Sequence, residues 1–183
     1  GMQQWDVNYW ETYAPVVNWM SVRIMLTLRA FYNLESCSIN FIQAYSQADA
    51  KTDIYLEIPL GMRDPSNKGY VLKLLKNLYG FKDGGRTWWE HLDEDLQKRG
   101  FQPSEQDPSV YVCQGCIILT YVDDILVFAK DNKTIFKFYT LLAEDFLVTD
   151  EGGIDKYLGI KFSKLKDGST ILTQPHLTDR LVD

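Results

Sequence analysis

The run Cys116-Ile117-Ile118-Leu119-Thr120-Tyr121-Val122-Asp123-Asp124-Ile125-Leu126-Val127-Phe128-Ala129 decides how the rest of this sequence is read. Its flanks are apolar enough to be buried sheet strands, and they meet at two adjacent carboxylates. Such a junction is costly. Buried charges need partners, and two like charges close together resist joint ionisation. A divalent cation relieves both difficulties. Mg²⁺ prefers hard oxygen ligands and is commonly held by one or two carboxylates plus substrate phosphates. Two such ions about 4 Å apart can activate an attacking hydroxyl and stabilise a leaving oxygen in phosphoryl transfer. A bare Asp-Asp pair is more often a solvated turn, where Asp is common. The whole string Tyr121-Val122-Asp123-Asp124 between two apolar runs is far more specific.

Outward from that junction, Ser109–Cys113, Cys116–Val122 and Ile125–Ala129 read as three strands of an antiparallel meander, with the first turn at Gln114-Gly115. Asn18–Asn33 has helical spacing with an apolar face and Asn33 as C-cap. Glu35–Phe41 is short and mixed. Ile54–Ile58 alternates like a strand and stops at Pro59-Leu60-Gly61, and Tyr70–Leu75 reads as a further strand. Between them, Arg63–Lys68 reads as a polar loop. Gly84-Gly85 opens a helix to about Arg99, with Trp89, Leu92 and Leu96 on one face and Gly100 ending it. Trp88 and Trp89 fit packing better than base stacking, because the helix needs an apolar face in either case. Asn132–Leu147 is helical again. Tyr157–Phe162 and Ser169–Thr173 resemble a hairpin turning at Lys166-Asp167-Gly168, and Pro175 fits the first turn of a closing helix. Strands and helices alternate without βαβ regularity or a Gly-rich phosphate loop, which favours an α+β fold with an antiparallel sheet.

Length and composition agree with a folded domain. The chain has 183 residues, 45% of them hydrophobic and 14% aromatic, enough for a core and unlike a disordered tail. One domain over residues 1–183 is the default. No stretch approaches the roughly 20 apolar residues that cross a bilayer. The formal net charge of −6 argues against strong autonomous nucleic-acid binding, which leaves a basic footprint. It argues less against a catalytic subdomain whose centre must be acidic to hold metal. Three cysteines, Cys37, Cys113 and Cys116, without a signal peptide imply a reduced, intracellular setting. Cys113-Gln114-Gly115-Cys116 has CxxC spacing, but no second ligand pair completes a zinc site, so a tight hairpin is the better reading. His91 and His176, the only histidines, neighbour no ligand cluster and suit surface or capping roles.

Several blocks in fixed order carry a resemblance. They are Glu11-Thr12-Tyr13-Ala14-Pro15-Val16, Ile54-Tyr55-Leu56-Glu57-Ile58-Pro59-Leu60-Gly61-Met62, Leu78-Tyr79-Gly80-Phe81-Lys82, Asp107-Pro108-Ser109-Val110-Tyr111, Tyr121-Val122-Asp123-Asp124 and Tyr157-Leu158-Gly159-Ile160. Together they resemble the reverse transcriptase of Ty1/copia-type LTR retrotransposons over nearly the whole chain. The resemblance implies a right-hand polymerase palm, with an antiparallel sheet, packed helices and partial fingers. It implies DNA synthesis from dNTPs on an RNA or DNA template-primer, with two Mg²⁺ (or Mn²⁺) ions, in the cytoplasm, a virus-like particle or the nucleus. It also implies that basic fingers strands lie upstream and that a thumb and an RNase H domain lie downstream of Asp183. This chain is thus expected to be truncated at both ends.

Site residues carry over one by one. Asp123 and Asp124 match the family's catalytic, metal-binding pair, and the backbone carbonyl of Phe41 matches a further metal ligand. The family's first metal-binding Asp opens a segment that matches Asn40-Phe41-Ile42-Gln43-Ala44-Tyr45, its register fixed by Ala44-Tyr45 and by the fourteen-residue step to Ile54. Asn40 therefore stands where the family has Asp. Asn offers a neutral oxygen in place of a bridging carboxylate, and that loss should cost several kcal/mol of transition-state stabilisation, roughly 10²-fold or more in rate. Tyr45 resembles the aromatic beneath the incoming sugar that excludes a 2′-OH. Lys82, Asp83 and Arg86 lie where the family contacts template and dNTP, although many members have Gln at the Asp83 position. Lys73 and Lys76 could touch phosphate or be ordinary surface lysines. The expectation is a reverse transcriptase palm with an impaired site. The main alternative is a catalytically inactive, transposon-derived module that binds nucleic acid or protein weakly. A palm-type nucleotide cyclase, which also pairs metal-binding Asp residues, would lack the blocks around Tyr79 and Tyr157.

Overall fold

Both apolar runs around Asp123-Asp124 are strands in a computed structural model of the chain, which describes residues 3, 6, 9–113, 115–165 and 169–182, without the side chains of Lys164 and Val182. In chain order the elements are α1 (Trp19–Tyr32), β1 (Glu35–Phe41), α2 (Ala44–Gln47), β2 (Tyr55–Glu57), β3 (Val71–Lys73), α3 (Gly84–Lys98), β4 (Gln102–Pro103), β5 (Val110–Cys113), β6 (Cys116–Tyr121), β7 (Asp124–Ala129), α4 (Asn132–Ala143), β8 (Val148–Gly152), β9 (Lys156–Tyr157), β10 (Ile160–Lys164), β11 (Thr170–Thr173) and α5 (Pro175–Val182). The chain divides into two compact units, one of residues 1–15 and 43–99, the other of residues 16–42 and 100–183.

The second unit is built on a six-stranded sheet in the order β4-β5-β6-β7-β1-β8, with every neighbouring pair antiparallel. The meander read from the sequence is its β5-β6-β7 part. The mixed segment Glu35–Phe41 is a central strand, between β7 and β8. Ile125 through Phe128 are at most 1% exposed, because β7 lies inside the sheet with both faces covered. One face packs on α1 and on β9-β10 through Val22, Met25, Leu119, Leu126, Phe128, Tyr157 and Phe162. The other meets α4, which contacts β1, β7 and β8. Helix α1 is capped by the Asn18 side chain at its start and by left-handed Asn33 (φ 50°) at its end. Buried Asp107 (8% exposed) fastens it: one carboxylate oxygen accepts from Asn18 N at 2.9 Å and Ser21 Oγ at 2.6 Å, the other from Ser109 N at 3.1 Å.

Several expected elements are shorter than their periodicity suggests; of the expected strands Ile54–Ile58 and Tyr70–Leu75 only Tyr55–Glu57 and Val71–Lys73 pair as strands. Helix α4 ends at Ala143, not Leu147, because the chain turns to bury Phe146 edge-on against Phe41, with ring centroids 5.3 Å apart. The expected strand Tyr157–Phe162 is split into β9 and β10 by Leu158 and Gly159, both in the left-handed region (φ 47° and 80°), the signature of a two-residue type I′ hairpin turn. The expected turn at Lys166-Asp167-Gly168, and Gln114 of the β5-β6 turn, lie outside the described residues.

The first unit holds the β2-β3 hairpin and the α2-α3 pair. The segment between β2 and β3 carries two 3₁₀ turns, Leu60–Met62 and Pro65–Asn67, the second closed by a capping box between Asp64 and Asn67. On α3 the buried face is Gly84, Thr87, Trp88, Leu92 and Leu96. Trp88 is 1% exposed, while Trp89 is half-buried beneath Arg86, whose guanidinium carbon lies 4.7 Å from the ring centroid. The core tryptophan is thus Trp88 and not Trp89, following the four-residue step from Gly84. No helix among the described residues is long and apolar enough to cross a membrane.

Candidate active site

The β6-β7 turn is as tight as a hairpin allows. Tyr121 pairs with Asp124, leaving Val122 and Asp123 as its two central residues. Val122 has φ 56°, a conformation in which a β-branched side chain is strained. Glycine is the usual choice at that position of a two-residue turn. The β6-β7 ladder on either side imposes this conformation, which puts Asp123 at the tip and starts β7 at Asp124.

Strand β1 runs antiparallel to β7, and Asn40 pairs directly with Asp124. The next residue, Phe41, donates its N–H to the Asp123 carbonyl at 2.7 Å. Asn40, Phe41, Asp123 and Asp124 therefore meet at one end of one strand pair. The Phe41 ring is buried (1% exposed), so only its backbone faces this chemistry. On the other side of β1, Asn40 pairs with Thr149 of β8, and a register shift between Ser38 and Ile39 inserts Glu151 as an extra residue. Bulges of this kind re-aim side chains.

The electrostatics mark the same spot. Asp124 is pushed from 3.8 up to about 6, first by burial, then by the charges of Asp123 and Glu151. Burial also pushes the Tyr157 hydroxyl up, helped by the charge of Asp124 and by Tyr121. That hydroxyl is buried without a hydrogen-bond partner. Neither Glu151 nor Tyr157 carries an individual mark in the sequence: Tyr157 lies within the Tyr157-Leu158-Gly159-Ile160 block, and a bulge has no local sequence signature. Among the described residues, no group of three or more His, Cys, Asp and Glu side chains is placed to hold a metal ion.

The first unit contains the other expected site residues. Tyr45 of α2 stacks on Tyr79, with ring centroids 4.3 Å apart and planes 16° apart. Arg86 is heavily engaged: its Nε donates to Glu90 at 2.5 Å, and its terminal nitrogens reach the Tyr13 carbonyl at 3.3 Å and Glu11 at 3.5 Å. Glu90 also pairs with Lys51. The Lys82 side chain is exposed, while its N–H donates to Gln3 at 2.7 Å. Asp83 sits at the N-cap of α3 without a capping bond and accepts from Gln3 at 3.2 Å. Lys73 and Lys76 are exposed and pair with Asp53 at 2.7 Å and Asp49 at 2.6 Å. His91 and His176 are exposed on helices.

The cysteines are free thiols, and Cys113 pairs with Cys116 across the β5-β6 hairpin. Burial pushes Cys37 and Cys116 up to about 12, which makes them poor nucleophiles and poor metal ligands.

The sequence matches the family described as reverse transcriptase (RNA-dependent DNA polymerase) over residues 1–183. The chain belongs to this reverse transcriptase family. It is 30% identical over 187 residues to a retrovirus-related Pol polyprotein from transposon TNT 1-94 of Nicotiana tabacum, a match covering 99% of this chain and 14% of that protein. It is also 30% identical to one from transposon RE1 of Arabidopsis thaliana, covering 98% of this chain and 12% of the relative. A putative transposon Ty5-1 protein of Saccharomyces cerevisiae is 31% identical over 134 residues, covering 71% of this chain and 44% of that protein. This reverse transcriptase domain thus spans a small fraction of the Pol polyproteins it resembles. Its relatives are Ty1/copia-type, and its mixed α/β fold with antiparallel sheets is consistent with the family.

Proposed function

We propose that the chain is the palm region of a Ty1/copia-type RNA-directed DNA polymerase, a single catalytic domain of a longer Pol polyprotein, and that Asn40 impairs its metal site. The observation that carries this reading is the pairing of Asn40 with Asp124 beside the strained Asp123 turn. In such a site Asp123, Asp124 and the Phe41 carbonyl would hold divalent metal.

The donor set fits a hard cation in kind. Burial first, and then the charges of Asp123 and Glu151, raise the proton affinity of Asp124, and a dication relieves what a proton relieves there. It falls short in charge, because the third side chain is a neutral amide. When bound, the metal would supply electrostatic stabilisation of charge developing on phosphoryl oxygens. The protein's own contribution is positional: the Val122 turn fixes Asp123, and the β1-β7 ladder fixes Asn40 against Asp124. On the resemblance of the blocks that hold them, Tyr45 is assigned to the sugar of the dNTP, and Lys82 and Arg86 to template and nucleotide. Arg86 would have to give up part of its hold on Glu90 to serve in that way.

A second reading, a catalytically inactive module that binds nucleic acid or protein weakly, is favoured by the same Asn40. Primer extension on a primed RNA template with Mg²⁺ separates the two. The proposal expects little or no extension by the chain as it stands and a gain of roughly 10²-fold for Asn40→Asp. Full activity with Asn40 in place contradicts the impairment. No gain in Asn40→Asp favours the inactive module.

A further inference from the structure

Tyr45 is held more closely than a residue on a one-turn helix needs to be. One side of its ring stacks on Tyr79, 4.3 Å away and nearly parallel. Its edge lies against the first turn of α3. A Cβ built at Gly84 would stand 3.5 Å from Tyr45 Cδ2, and one at Gly85 would stand 3.2 Å from the Tyr45 hydroxyl. Two consecutive glycines open that helix: Gly85 leaves room for the tip of the ring, while Gly84 lets the helix start approach the Leu78 carbonyl and the Asn77 side chain.

Tyr79 is held in turn by its own loop. Asn77, 3% exposed, donates through Nδ2 to the Gly84 carbonyl at 2.7 Å and accepts from Leu78 N at 2.9 Å. Its N–H donates to Ala48 O at 2.9 Å, which ties the loop to the end of α2. Residues 77–85 thus form a pinned clasp that meets Tyr45 from the stacking face at Tyr79 and from the ring tip at Gly85. The hydroxyl end of Tyr45 occupies the space that a side chain at Gly85 would take.

We infer that Tyr79 and Gly85 are positioning residues that set the orientation of the Tyr45 ring, so that discrimination between a deoxyribonucleotide and a ribonucleotide depends on the clasp as well as on Tyr45. This rests on the assignment of Tyr45 to the sugar. Loss of an aromatic stacking partner corresponds to roughly a 2- to 10-fold effect, and that is the expected fall in preference for dGTP over GTP in Tyr79→Leu. Tyr79→Phe keeps the stacking surface and should restore the preference. Gly85→Ala, which crowds the hydroxyl, should change it without removing the stack.

The test uses the 183-residue chain labelled with 3-fluorotyrosine, its Tyr45 resonance assigned by Tyr45→Phe, titrated with dGTP and with GTP in the presence of Mg²⁺. The inference expects the Tyr45 resonance to move in Tyr79→Leu before any nucleotide is added. It then expects the ratio of the two dissociation constants to fall and Tyr79→Phe to recover it. An unchanged Tyr45 resonance in Tyr79→Leu overturns the clasp. A ratio that falls in Tyr45→Val and not in Tyr79→Leu overturns the inference and leaves the sugar role of Tyr45 standing. A ratio unaffected by Tyr45→Val removes the sugar role itself and the inference with it.

Discussion

Replacing Asp124 with Asn should stabilise the metal-free protein near neutral pH and flatten its pH dependence. Burial and the charges of Asp123 and Glu151 hold the Asp124 carboxyl at about 6, against 3.8 in an unperturbed chain. The folded state therefore binds this proton more tightly than the unfolded state. The resulting stabilisation is fully present below pH 3.8 and is lost as pH rises through about 6. At about 1.36 kcal/mol per pKa unit the whole effect approaches roughly 3 kcal/mol. Asp124 is only half-buried, and solvent screening reduces the expected figure to about 1–2 kcal/mol. Urea unfolding of wild type and Asp124→Asn in EDTA, followed by tryptophan fluorescence from pH 4 to pH 7.5, reads the difference directly. The two stabilities should diverge by that amount across the range, with wild type falling behind. Glu151→Gln should shrink the divergence, because one of the charges that raises Asp124 is gone. Parallel curves for wild type and Asp124→Asn would refute the account of a crowded, partly desolvated carboxylate.

Other substitutions probe what holds the site in place. Trp88→Ala should cost about 3–5 kcal/mol, as emptying a core aromatic position does, while Trp89→Ala, which loses mainly a partly exposed cation–π contact, should cost about 1 kcal/mol by the same urea assay. Asp107→Ala leaves Asn18 N, Ser21 Oγ and Ser109 N short of their shared acceptor, and a loss of about 2–4 kcal/mol is expected, seen as early loss of α1 protection in hydrogen exchange. Gly84→Ala should destabilise more than Gly85→Ala in thermal melts. Its Cβ would meet the rigid Leu78 carbonyl at 3.2 Å, whereas at Gly85 the first obstacle is the tip of the Tyr45 ring.

The parts of the fold that were legible in the sequence are those with strong local pattern. The continuous apolar runs on either side of Asp123-Asp124 made the β6-β7 hairpin plain, and Asn18 and Asn33 bounded α1 to the residue. Strand β1 was not legible. Glu35-Ser36-Cys37-Ser38-Ile39-Asn40-Phe41 has no clean alternation, and Ser38 is buried at 4% exposure; what makes it a strand is pairing with β7 and β8, which no local window contains. The face of α3 was misjudged by one residue because Trp88 and Trp89 fit the step to Leu92 and Leu96 equally well. Only packing chooses between them. Within the candidate site, Asp123 and Asp124 announced themselves, and the register that gave Asn40 its importance came from a neighbouring block. The pairing of Asn40 with Asp124 gives that register a geometric counterpart. Glu151 stayed hidden because its influence on Asp124 depends on a bulge in β8, and the strain at Val122 because a valine in a turn looks like any other strand residue.

Mn²⁺ binding to the chain and to its Asn40→Asp variant, measured by electron paramagnetic resonance near pH 7.5, tests the central claim most directly, since it needs neither template nor the rest of a polyprotein. If Asn40 stands where an acidic ligand is missing beside Asp123 and Asp124, restoring the carboxylate should tighten Mn²⁺ by about tenfold or more, a gain of at least about 1.4 kcal/mol, and Asp123→Asn in the same background should abolish that gain. Equal Mn²⁺ affinity of the unaltered chain and the Asn40→Asp variant would contradict the claim.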